Sequence, residues 1–146
     1  MTNPKNPLDK FLKAQEHTYS TALSEIKNAY KESHWMWYIF PQIKGLGFSG
    51  NTLYYGIENL EEAKNYLNHE ILGNRLEEIT KELLKLKESD PLKIMGNPDD
   101  LKLKSCMTLF HFADGRENNI FMEVLNQYYK GVLDLKTIEI LNNSKL

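Results

Sequence analysis

The sequence predicts an all-α fold, a single domain built as a bundle of about six or seven helices. Apolar residues recur at steps of three, four and seven along most of the chain, the spacing of helices that each bury one face. Apart from residues 34–57, nothing alternates at period two. Residues that start and stop helices stand at the borders of the periodic segments. The 146 residues form one domain over 1–146, long enough to bury roughly two-thirds or more of the unfolded surface without a metal or disulfide. No repeat, low-complexity tract or long linker divides it.

Leu8, Phe11, Leu12, Tyr19, Ala22, Leu23, Ile26 and Tyr30 place one or two amphipathic helices within residues 7–31, and the pattern allows a break near His17. His34-Trp35-Met36-Trp37-Tyr38-Ile39-Phe40-Pro41-Gln42 follows and contains both tryptophans. This run has no polar alternation, so periodicity does not separate a buried strand from a buried helical turn, and Pro41 ends either one. Gly45, Gly47 and Gly50, with Ser49 and Asn51, read as a loop before Leu53-Tyr54-Tyr55-Gly56-Ile57. Asn59, with Glu62 three places on, caps a short helix through Leu67.

Ile71, Leu72, Leu76, Ile79, Leu83 and Leu86 mark a longer helix over about 69–87, interrupted by Gly73. Asp90-Pro91 and Gly96-Asn97-Pro98 bracket a turn, after which Asn97 as cap and Pro98 at the first helical position begin a helix reaching about Phe112. Asp114-Gly115 ends it. Ile120, Phe121, Val124, Leu125 and Tyr128 define the next helix, and residues 135–141 a short last one.

Apolar residues make up 41% and charged residues 26% of the chain, an ordinary globular balance. A net charge of -2 and a pI of about 6.1 provide no electrostatic footprint for duplex nucleic acid. The single cysteine, Cys106, has no partner for an internal disulfide or a zinc cluster, which points to a reducing compartment. Met1-Thr2-Asn3-Pro4-Lys5 leads into no apolar signal core, and no stretch approaches the roughly 18 apolar residues of a membrane span. The expectation is a cytoplasmic protein that engages no membrane.

Placed on a wheel at roughly 100 degrees per residue, the 98–112 helix gathers Leu103, Cys106, Met107, Leu109, Phe110 and Ala113 in one apolar arc. Asp100, Lys104, Thr108 and His111 lie outside it. Asp99 and Lys102 fall inside the arc and Ser105 near its border, so three polar groups point toward the interior or a cleft. Asp99 and Lys102 are three apart and can pair, and a carboxylate in the first turn suits the helix dipole. Lys102 and Ser105 also offer donors to a phosphate or carboxylate near a helix N-terminus. Arg75, within the apolar arc of its own helix, is a reserve anion contact.

Indole faces at Trp35 and Trp37 can serve the core or form a platform for a flat ring. Gln42 can stabilise the turn after Pro41 or read a ligand with donor and acceptor together. His34 can cap or pack, or act as general acid or base. Gly45-Leu46-Gly47 allows close backbone approach but matches no phosphate-binding fingerprint. No HExxH, GxSxG, CxxC or EF-hand loop is present, and His17, His34, His69 and His111 lack ligand spacing, so neither a metal nor a cofactor is expected. Cys106, in the apolar arc, reads as a buried small hydrophobe.

The chain resembles a bacterial family known as domain of unknown function 1810, sometimes labelled calpastatin. The resemblance runs through Phe11, Ala14-Gln15, Ser33 to Gln42, Gly45-Leu46-Gly47, Ala63, Tyr66-Leu67, Leu72-Gly73-Asn74-Arg75-Leu76, Pro98-Asp99-Asp100-Leu101-Lys102 and Ser105-Cys106-Met107-Thr108-Leu109-Phe110. It implies an all-helical fold and a helical aromatic run. Members typically carry a second serine after Ser105, where this chain has Cys106. The family's activity is undefined, so the resemblance implies no catalytic assignment.

Two functions from different classes fit these residues. In the first, a small anionic, nucleotide-like metabolite sits between the 34–42 run and the 98–112 helix, held by Trp35, Trp37, Gln42, Arg75, Asp99, Lys102 and Ser105, with His34 for proton transfer. In the second, the chain is a non-enzymatic interaction module using exposed aromatics such as Tyr54, Tyr55, Tyr128 and Tyr129. A plainer reading makes the aromatic run all core and Asp99 and Lys102 a structural pair.

Overall fold

Ten helices and no strand make up residues 6–143, the part that the computed structural model describes. Residues 1–5, read above as free of a signal core, lie outside it. The helices are α1 (Asp9–Gln15), α2 (Tyr19–Lys27), α3 (Met36–Ile39), α4 (Gly50–Tyr55), α5 (Leu60–Asn68), α6 (Leu72–Lys85), α7 (Pro91–Met95), α8 (Asp99–Asp114), α9 (Ile120–Tyr129) and α10 (Leu135–Asn143). The expectation of six or seven is corrected upward by α3, α4 and α7. Each is only four to six residues long, too short for an apolar stripe to repeat. The supposed glycine loop thus contains the start of α4, capped by Ser49, whose hydroxyl accepts from Thr52 N. The supposed turn at 90–96 is α7, capped by Asp90.

The break near His17 is present: Thr18 donates its hydroxyl to Ala14 O, and α2 starts one residue later. Asn59 caps α5 by accepting from Glu62 N, while Glu62 Oε1 accepts in return from Glu58 N. Asn97 does not cap α8; Pro98 occupies that position, and Asn97 Nδ2 instead donates to Asp100 Oδ1 at 3.3 Å. Gly115 ends α8 in the left-handed conformation, as a C-terminal glycine should.

Helix α8 runs through the centre, packed on α5, α7, α9 and α10. It is therefore buried well beyond one arc, and this corrects the wheel at Thr108. That residue is 0% exposed, its hydroxyl donating to Lys104 O and accepting from Asp134 N. An aromatic chain crosses the core from Tyr55 through Phe11, Tyr66 and Phe110 to Phe121, with centroid separations of 5.8, 5.3, 5.3 and 5.9 Å. Such spacings fall in the attractive range for tilted and edge-on rings.

Two local features set the path of the chain. Glu25 is buried on α2, and its carboxylate accepts from Glu32 N, Ser33 N, Ser33 Oγ and Trp35 Nε1 at 2.5–2.9 Å. Burial opposes ionisation there, but the donors of Ser33, Glu32 and Trp35 prevail and hold the carboxyl at about 2. At the other feature, α6 crosses α5 at Gly73, where a Cβ would stand 2.0 Å from Leu67 O.

Gly73→Ala is expected to destabilise the protein by about 2 kcal/mol or more, because the clash with a fixed carbonyl outweighs the roughly 1 kcal/mol by which alanine favours a helix; urea unfolding measures it, and an unchanged midpoint would refute the close crossing. The folded pKa of Glu25 lies below its ordinary 4.5, so its stabilisation is complete above that value and disappears as pH falls toward 2. Glu25→Gln should be less stable at pH 7 and should show a shallower loss than wild type between pH 4.5 and 2 in thermal melts.

Candidate functional site

The first turn of α8 meets the segment between α2 and α3 through a carboxylate shared by two lysines. Lys31 Nζ lies 2.7 Å from Asp99 Oδ2, and Lys102 Nζ 3.6 Å from Asp99 Oδ1. Their environments differ. Lys31 has a side chain only 6% exposed, and it donates to Ser33 O at 2.6 Å while resting 4.9 Å above the Trp35 ring. Lys102 is 23% exposed, has the longer ion pair, and stands 5.0 Å above the Trp37 ring. A helical i,i+3 pair and an indole face thus converge on one ammonium, in an environment where cation–π attraction is worth about 0.5–2 kcal/mol.

The expected site residues separate into groups. Trp37, Asp99 and Lys102 are together, and Gln42 joins Trp37 in lining a small hollow of about 10 Å³ with Asn51, Thr52 and Tyr55. Trp35 is a core residue, 1% exposed with its N–H spent on Glu25, because the turn before α3 directs it inward. Ser105 is 6% exposed; its hydroxyl bonds Leu101 O and Asp134 Oδ2, so it fastens the approach to α10. Arg75 belongs to another junction, donating to Gln15 Oε1 at 3.3 Å and lying 5.2 Å from the Tyr19 ring. Gln15 in turn donates to Tyr38 O and Tyr66 Oη. His34 is exposed on the turn before α3.

Among the proposed interaction aromatics, Tyr54 is exposed, Tyr55 and Tyr129 are half-buried and Tyr128 is buried. Tyr128 donates to Leu83 O and Tyr129 to Asp100 O, and burial pushes the Tyr128 phenol up to about 12. Gly45 serves a turn, with φ at +110°. Cys106 is fully buried, and burial holds its thiol well above the usual range, a setting without nucleophilic character.

Sequence reasoning missed Lys31, Glu25 and Gln15. Glu25 lies three residues after Ala22, and Gln15 four after Phe11, spacings that put both on core-facing arcs. It also missed the larger cavities, one of about 260 Å³ lined by Lys64, Asn68, Gly73, Glu77, Asp114 and Arg116, and another of about 410 Å³ beside it along α6 and α9. Asp114 and Arg116 form a salt bridge at 2.8 Å there. No group of three or more His, Cys, Asp and Glu among the described residues is placed to hold a metal, and no described helix is long and apolar enough to cross a membrane.

No curated protein matches the chain. The crystal structure of the conserved hypothetical protein Rv1873 from Mycobacterium tuberculosis is similar to it at 43% identity and a TM-score of 0.89, covering 92% of this chain and 96% of that one. Residues 5–141 match the family model described as protein of unknown function (DUF1810), and the chain belongs to that family.

Proposed function

We propose that the chain binds a small anionic metabolite, nucleotide-derived or otherwise phosphorylated or carboxylated, at the corner where α8 meets the tryptophan-bearing turn. One observation carries the reading: two ammonium groups share the single carboxylate of Asp99, and the one left at the longer distance is half-buried on Trp37. The surplus positive charge is partly desolvated, where it attracts an anion more strongly than a lysine in open water does. Asp99 is the positioning group, the Trp37 face takes the flat part of the ligand, and Gln42 supplies a donor and an acceptor. His34, three residues before Trp37, is the side chain of that turn suited to proton transfer. The buried Cys106 fits a working place in the reducing cytoplasm.

A second observation favours an additional role as an interaction module. Phe48, Leu53 and Tyr54 are 85%, 44% and 58% exposed, and α4 buries none of its residues. Solvent-facing apolar side chains such as Phe48, Leu53 and Tyr54 are of the kind that anchors protein contacts.

In thermal-shift titration of a nucleotide and phosphometabolite panel, at least one compound at about a hundredfold its Kd should raise the melting temperature of wild type by several degrees, with most of the rise gone in Lys102→Ala. A panel that never separates the two proteins would end the reading. For the module, light scattering should detect concentration-dependent association that Phe48→Ser removes at unchanged melting temperature; a monomer throughout would discount self-association.

A further inference from the structure

The anion-binding corner contains one polar atom with no assigned part. Trp37 Nε1 is buried and bonds nothing, a condition shared among the described residues only by Thr80 Oγ1. Trp35, two positions earlier, donates its N–H to Glu25 at 2.9 Å. Buried donors are nearly always satisfied, and leaving one unmet is costly. Trp37 also borders a hollow: it lines the 10 Å³ space together with Gln42, Ile43, Asn51, Thr52, Tyr55 and Gly56, and a small shift of these side chains is what would open its covered N–H to that space. The Thr52 hydroxyl is engaged with Ser49 at 2.7 Å, whereas the carboxamides of Gln42 and Asn51 make no hydrogen bond among the described residues.

The size and the chemistry of this space narrow its occupant. About 10 Å³ admits one water-sized atom and no ring or entire phosphate group. An indole N–H donates and never accepts, so the atom must be an acceptor. Lys102 above the same ring makes a charged oxygen a better acceptor than a neutral one, since charge-assisted hydrogen bonds are roughly twice as strong. We infer that Trp37 Nε1 is the docking donor for one anionic oxygen of the ligand, a carboxylate or phosphoryl oxygen that enters the hollow between Trp37, Gln42 and Asn51. Lys102 then holds the charge of the ligand and the indole edge fixes its direction. This rests on the anion-binding reading above and gives it a directional contact.

The test is a ¹⁵N–¹H spectrum of the full chain, in which the two indole signals are assigned with Trp37→Phe. Inorganic phosphate and acetate are titrated separately. The Trp37 signal should move downfield and saturate with at least one of them, while the Trp35 signal, already bonded to Glu25, stays in place. Trp37→Phe keeps a ring and removes the donor, and should weaken binding of the same ion at least about tenfold; Lys102→Ala should abolish the shift in the Trp37 signal. A response to phosphate alone identifies a phosphoryl oxygen, a response to acetate alone a carboxylate, and a response to both any anionic oxygen. Backbone amides around Lys102 that titrate while the Trp37 indole stands still would overturn the docking donor and leave the anion reading intact. No saturable response anywhere, or a linear drift of both indoles with salt, would overturn both.

Discussion

The carboxylate of Glu25 sets the geometry on which the rest of this corner depends. Burying an ionised carboxyl costs several kcal/mol unless its lone pairs are met, and here they are met by donors drawn from residues 32–35 rather than by a cation. Those donors can converge only if the chain turns back sharply after α2. Ala29 takes a positive φ in that turn, and Lys31 N bonds Ile94 O at the end of α7. The same turn delivers the Lys31 ammonium to Asp99 and the Trp35 ring beneath it.

From there the aromatic run is held on two sides. Glu25 takes the N–H of Trp35, and Gln15 donates to the carbonyl of Tyr38. Gln15 is itself bound to Tyr66 and Arg75, so the run is tied to α1, α5 and α6 as well as to α2. Between the anchored Trp35 and Tyr38 stands Trp37, whose ring is covered by a lysine and whose N–H is not engaged. The fold immobilises its neighbours and leaves the N–H of this residue without a partner among the described residues. Pre-organisation of that kind lowers the ordering cost of binding.

The long helices were legible because their apolar faces repeat: α6, α8 and α9 each run ten residues or more, and Asn59 and Gly115 mark boundaries by ordinary capping chemistry. The single-turn helices were not, since α3, α4 and α7 are held by tertiary contact and carry too few residues to display a period. Thr108 shows the limit of a wheel, which presumes one wet face and fails for a helix packed on four others. At the site, the convergence of Asp99 and Lys102 with Trp37 could be anticipated from their intrusion into an apolar arc. Lys31 could not, because a surface-type residue in a turn is indistinguishable from a solvated one until the distant group it meets is known; the spacing of Glu25 from Ala22 set it on the core-facing arc of α2 but did not reveal the donors of residues 32–35 that it meets. Ser105 and Arg75 were drawn away for a similar reason: Asp134 and Gln15, remote in sequence, satisfy them first.

The isolated parallel bridge between Ile43 and Ile57 has a further consequence. Lys44 N bonds Ile57 O and Ile57 N bonds Gln42 O, both at 2.8 Å, so the excursion carrying Phe48 and α4 leaves and rejoins the body at one stapled neck. A change in the length of that excursion alters chiefly its closure entropy, about 0.6 kcal/mol per doubling. The lobe is therefore a place where relatives can gain or lose residues, and so vary what they touch, without disturbing the helices beneath.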